Sequence, residues 1–171
     1  MDPKERIRIF NTIRDIPYRI PLSLEEIKEN DSSCIGKSKL LYDRFSEFYP
    51  VRYRLYQFFW SQMDLPADIA EKINDDEGHH CVLEIKINSN WITLDPSWDE
   101  PLNSLLNINY WNGISDTAVS VYYTQKMSVK DSQKKFANEF TDSHKRLHDD
   151  IVNYEFYDEL NTIFEQIRLT K

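Results

Sequence analysis

Apolar positions near the start of the chain follow a helical period. Ile7, Phe10, Ile13 and Ile16 are spaced three apart, which predicts a first helix running to about Arg14. Asp2 is placed to cap it, and Pro3 sits where a missing N–H costs nothing. Asp15-Ile16-Pro17 should end it, because the residue before a proline avoids the α region. Tyr18 to Pro21 then reads as extended. Ser23-Leu24-Glu25-Glu26 offers a cap and an acidic first turn for a short second helix. Asn30-Asp31-Ser32-Ser33 is a polar stop with three candidate caps. Behind it Cys34, Leu41, Phe45 and Phe48 fall at offsets 0, 7, 11 and 14, one face of a helix that should end near Tyr49-Pro50.

The pattern then changes to that of strands. Val51 to Trp60 is rich in β-branched and aromatic residues. Ser61 to Gly78 reads as a polar connection with a turn of helix at Pro66–Ile73. His80–Ile87 and Trp91–Leu94 are two further strands, and the short, turn-prone Asn88-Ser89-Asn90 between them predicts an antiparallel hairpin. Asp95-Pro96-Ser97-Trp98-Asp99 closes it. Thr117–Tyr123 reads as another strand. From Ser128 to Lys171 the pattern is mostly helical, ending on an apolar stripe of Ile151, Tyr154, Tyr157, Leu160, Ile163, Phe164 and Ile167. The result is an α+β fold, a single domain over residues 1–171 with a core at about 5–100 and a mostly helical part at 101–171.

Composition narrows the function classes. A chain of 171 residues suits one domain and buries enough surface to need neither disulfide nor metal. Its formal net charge of −8 argues against nucleic acid or an anionic membrane as the partner. With three glycines, Gly-rich phosphate loops are nearly excluded. No apolar run approaches the ~20 residues of a membrane helix, and Met1–Ile16 is unlike a signal peptide, so a cytoplasmic protein is expected. The two cysteines, Cys34 and Cys81, are then reduced thiols.

Of these, Cys34 stands just inside a helix start, where unpaired N–H groups and the macrodipole favour a negative charge and so a nucleophilic thiolate. A thiolate needs a base, and the base needs a third group to fix its tautomer. His79-His80 opens one hairpin strand and Asp95 ends the other. Which histidine faces Asp95 depends on the turn. A two-residue turn puts Asp95 on the face of Glu84, Val82 and His80, and a three-residue turn puts it with Cys81 and His79.

The string from Gly78-His79-His80-Cys81-Val82-Leu83-Glu84-Ile85 through Trp91-Ile92-Thr93-Leu94-Asp95-Pro96-Ser97-Trp98-Asp99 resembles the core of the transglutaminase-like superfamily. Glu84 follows His80 by four residues and Asp95 follows it by fifteen, the family's spacings from its catalytic histidine. The order of cysteine helix, sheet, histidine strand and aspartate strand is similar too, and Ile9–Tyr18 is similar to the helix and turn before the family's cysteine. The resemblance covers about residues 5–100. It implies a papain-like arrangement with the Cys34 helix packed on a small antiparallel sheet, and a catalytic triad of Cys34, His80 and Asp95. It further implies thioester chemistry on a protein or peptide amide, with no cofactor and no metal, and hydrolysis more than crosslinking. The competing class is a catalytically silent interaction domain on the same fold. Departures from the family are the Ser32-Ser33-Cys34-Ile35 flank and the absence of any tryptophan or glutamine before Cys34. An oxyanion would then meet the Cys34 N–H and a side chain such as Gln57 or Tyr18. No Asp/Asn-rich loop suggests a calcium site.

Other features take plainer readings. Ile35-Gly36-Lys37-Ser38 imitates the tail of a phosphate loop, but Asp31 stands where its first glycine belongs. Cys34, His79, His80 and Cys81 offer zinc-type ligands, yet adjacent strand residues point to opposite faces. Arg52 and Arg54 read as a solvated sheet face, and His144 with His148 as an exposed helix pair. The aromatic residues read as core. Cys81 reads as a packed neighbour of the base, and Glu84 as a structural acid or an alternative orienting group in place of Asp95.

Overall fold

Alternating apolar strands and one tight turn organise the chain. In a computed structural model, which describes residues 1–170 and at Asp149 the backbone alone, four strands form one curled antiparallel sheet. They are β1 (Val51–Phe59), β2 (Glu77–Ile87), β3 (Asn90–Leu94) and β4 (Tyr123–Lys126), in the order β3-β2-β1-β4. Asn88 and Ser89 both adopt positive φ, 47° and 70°, the turn whose twist matches that of a hairpin. Ile87 therefore pairs with Asn90, and Leu83 with Leu94. This two-residue turn settles the face question: Asp95 follows β3 on the side shared by Val82, Glu84 and His80.

On the other side of the sheet lie Leu83, Ile85, Ile92 and Leu94. Helices α1 (Pro3–Arg14) and α3 (Cys34–Phe45) cover them, contributing Phe10, Ile13, Leu41 and Phe45 to one cluster with Trp111. Asp2 caps α1 by accepting from the Glu5 N–H, and Ser23 caps α2 (Leu24–Glu29) through the Glu26 N–H. A one-turn helix, α4 (Ala67–Ala70), lies between β1 and β2. After β4 come α5 (Val129–Lys135), a π turn at Phe136–Phe140, α6 (Ser143–Asp150) and α7 (Tyr154–Leu169). Phe136, Phe156, Tyr157, Leu160 and Phe164 join Leu55, Cys81 and Trp98 in a second cluster. No helix among the described residues is long and apolar enough to cross a membrane.

Four expectations need correction. Helix α3 stops at Phe45, where the chain turns back through a Phe48 N–H bond to the Phe45 carbonyl, so Phe48 is 54% exposed rather than on the buried face. The fourth strand begins at Tyr123, and the stretch expected as strand at Thr117–Tyr123 instead binds the end of β3. There the Thr117 N–H donates to the Thr93 carbonyl, and Thr117 Oγ1 accepts from the Asp95 N–H. In the C-terminal stripe Ile151 and Tyr154 are exposed, and Phe156 is buried instead. The 3₁₀ turn at Ile151–Asn153 advances each residue further round the axis than an α turn, so the apolar face is rotated before α7 begins. Finally, Arg52 and Arg54 are not a solvated face. Their Nε atoms donate to the two oxygens of buried Glu84 at 2.6 and 2.9 Å, and Lys126 approaches the same carboxylate at 3.2 Å. Burial alone would raise the Glu84 carboxyl, but the two guanidinium bonds hold it below its ordinary value. Glu84 is therefore held by the sheet's cations and does not orient His80.

Candidate functional site

The site starts from Asp95, which is wholly buried at the end of β3. Two residues on, Ser97 folds back to it, donating its N–H (3.1 Å) and Oγ–H (2.6 Å) to Oδ1. An aspartate accepting from the backbone two residues later is a natural turn former. Ser120 donates its N–H (2.8 Å) and Oγ–H (2.5 Å) to Oδ2. His80 Nε2 lies 2.7 Å from the same Oδ2. Burial opposes the carboxylate, yet the charge and hydrogen bond of His80, with the two serines, draw Asp95 down to about 2.

His80 is 2% exposed in β2. Its Nε2 meets the carboxylate, which leaves Nδ1 as the other ring nitrogen, and the Cys34 sulfur is near enough to favour the cation. Burial disfavours the cation, but the Asp95 charge and hydrogen bond, helped by Cys34, lift His80 to about 10. Cys34 is the first residue of α3 and 8% exposed. The structure thus places Cys34 and His80 in the lining of one cavity and holds His80 on buried Asp95. His79 lies apart from it, with Nε2 3.7 Å from Glu77. Cys81 is fully buried, and burial pushes its thiol well up.

The flank of Cys34 is built by a distant residue. Ser33 makes no side-chain cap bond to α3; its hydroxyl donates to Asp31 Oδ1 at 2.6 Å and accepts from Arg146 Nη2 at 2.9 Å. Arg146 also pairs with Asp31 through Nη1 at 2.5 Å. Gly36 makes this possible, because a Cβ there would lie 1.9 Å from the Asp31 carbonyl oxygen. That close approach, not a phosphate, is what the Gly36-Lys37 pair serves. Lys37, one turn after Cys34, is fully buried and donates to the carbonyls of Arg14 and Ser97, each at 2.8 Å. Burial pushes it down to about 7. It ties the cysteine helix to the turn that holds Asp95.

The C-terminal helices close the site with polar anchors. Asn153 Oδ1 accepts from the Asn74 and Asp75 N–H groups, each at 2.9 Å. Asn161 exchanges two hydrogen bonds of 2.9 Å with the backbone of Ile20. Arg168 donates to both oxygens of Asp99 at 2.8 Å and to the Tyr18 carbonyl at 2.9 Å. Between this wall and the sheet lies a cavity of about 410 Å³ whose lining includes Cys34, His80, Tyr18, Trp60, Trp98 and Arg146. Of the two side chains named for an oxyanion, Tyr18 lines this cavity, whereas Gln57, paired with His79 on β1, does not. Ser97 was readable from the Asp-Pro-Ser turn; Ser120, Trp60 and Arg146 carried no local signal. Among the described residues no three His, Cys, Asp or Glu side chains are grouped to hold a metal ion.

A thiol, an imidazole and the carboxylate that holds the ring can share a proton as a thiolate–imidazolium pair, and the imidazolium can pass that proton to a leaving group. Comparisons with protein-family models, with curated proteins and with solved structures find no match to this chain.

Proposed function

We propose that the chain is a transglutaminase-like thiol enzyme that opens amide bonds through Cys34. The observation that carries this reading is the buried His80–Asp95 pair, Nε2 and Oδ2 2.7 Å apart, in the wall of the cavity that Cys34 also lines. An imidazolium beside a sulfur favours the thiolate. The thiolate attacks the amide carbonyl carbon, and the tetrahedral oxyanion forms near the N-terminus of α3, whose dipole is complementary to it. His80 gives its proton to the nitrogen as the C–N bond breaks, releasing an amine and leaving a thioester on Cys34. His80 then takes a proton from water, the hydroxide attacks the thioester carbon, and the C–S bond breaks, releasing the carboxylic acid and restoring the Cys34 thiolate beside the His80 imidazolium. An amine in place of water would give transamidation. We assign hydrolysis because small chains of this type are more often hydrolases than crosslinkers. Throughout, Asp95 fixes the ring and stabilises its cation.

Iodoacetamide labelling of Cys34 at pH 6.5 tests the reading, followed by mass spectrometry. The wild type should react at least about tenfold faster than His80→Ala, since thiolate fraction governs the rate. Equal rates would mean that the imidazole does not activate the sulfur, and would favour a silent interaction domain.

A further inference from the structure

Among the described residues, two buried side-chain atoms lack any hydrogen-bond partner, Trp60 Nε1 and Arg146 Nε. Buried polar groups are nearly always satisfied, so each such atom calls for an explanation. Both atoms are donors, and both residues line the cavity that holds Cys34 and His80. Trp60 is 6% exposed and Arg146 4%. The Tyr157 hydroxyl is close enough to feel the indole N–H but does not meet hydrogen-bond geometry with it. The two Nη nitrogens of the Arg146 fork are committed to Asp31 and Ser33, and Asp150 Oδ2 stays 3.7 Å from Nε.

What would satisfy these donors is an acceptor, and its charge can be argued. The guanidinium already faces Asp31 and Asp150. The rest of the lining carries Asp75, Glu77 and Glu139 against Lys135, the charge of His80 being matched by Asp95 behind it. A carboxylate would enter an acidic surround, so an uncharged carbonyl oxygen fits better. The remaining wall is aromatic, with Phe58, Trp60, Trp98 and Tyr157. We propose that this cavity is the subsite for an uncharged, apolar peptide segment whose main-chain carbonyl oxygens accept from Trp60 Nε1 and Arg146 Nε. The proposal rests on reading the cavity as the acyl-binding side of the Cys34 site and names the substrate class it takes. Trp60 and Arg146 are then binding residues supplied by the end of β1 and by α6.

The test separates binding from chemistry by using Cys34→Ala protein, so it stands whether or not the thiol is active. Indole ¹⁵N–¹H spectra are followed while N-acetyl-phenylalanine N-methylamide, N-acetyl-phenylalanine or phenylalanine N-methylamide is added. The Trp60 signal is assigned by its loss in Trp60→Phe; the indole of Trp111, outside the cavity and already bonded to the Ser115 carbonyl, serves as internal reference. The neutral probe, capped at both ends, should move the Trp60 signal downfield, with the carboxylate probe at least about tenfold weaker, as like charges in contact are penalised. Absence of a Trp60 shift at saturation would overturn the subsite. Tighter binding of the carboxylate or of the ammonium probe would overturn the assigned class.

Discussion

The two sides of the cavity are built on opposite principles. At the ends of β2 and β3 the buried carboxylate is spent: Asp95 accepts five hydrogen bonds from Ser97, Ser120 and His80. On the helical side, Arg146 is locked to Asp31 and Ser33 yet keeps one buried N–H unpaired, as does Trp60 beneath α7. A saturated carboxylate can only hold a ring and a proton in place, whereas an unspent donor is left for something that arrives. On the proposed reading, the difference separates a proton-handling half from a receiving half, joined at Cys34.

The largest expected effect lies on the saturated side. Asp95→Ala leaves a buried imidazole and two serines without their acceptor and should cost about 3–5 kcal/mol in urea unfolding; a loss under about 1 kcal/mol would break the contrast. Next, Arg146→Met strands buried Asp31 and should cost about 3 kcal/mol, with Asp31→Asn added to Arg146→Met recovering part of it. Simple additivity of the two changes would show that the wall is not stitched to the Cys34 flank. Gly36→Ala forces the Asp31 backbone away from α3 and should cost about 2 kcal/mol by calorimetry. Least of all, Phe48→Ser should stay within about 0.5 kcal/mol of wild type, because that ring faces water.

What the sequence revealed follows the distance between partners. The helices capped by Asp2 and Ser23 were readable because a cap and its N–H lie three residues apart. The hairpin was readable as a turn, but only the positive φ of both Asn88 and Ser89 fixed its length and so the face of Asp95. Phe48 continued an apolar period past the point where the backbone leaves the helix, and periodicity alone does not register that exit. Thr117–Tyr123 had strand-like composition, yet its backbone serves Thr93 and Asp95, which a propensity does not encode. Ser120 lies 25 residues from Asp95 and Arg146 lies 115 from Asp31. Contacts at such separations leave no local pattern, so the receiving half stayed invisible while the His80–Asp95 spacing stood out.

Charge on the buried pair links the site to pH. His80 is raised from 6.5 to about 10, so its contribution to stability is fully present below pH 6.5 and is lost as pH rises through 10. Asp95 is lowered from 3.8 to about 2, so its share is present above pH 3.8 and is lost as pH falls through 2. Lys37, pushed down to about 7 by burial, titrates with the opposite sign. Asp95→Asn retains Lys37, so comparison with that variant isolates the pair.

The most direct test of the Cys34–His80–Asp95 line is a ring-nitrogen NMR titration of His80 in wild type and Asp95→Asn. The coupled line requires an imidazolium that persists through neutral pH, loses its proton near pH 10 and does so at clearly lower pH in the variant. A ring already neutral at pH 7, or an unchanged midpoint in Asp95→Asn, would contradict it.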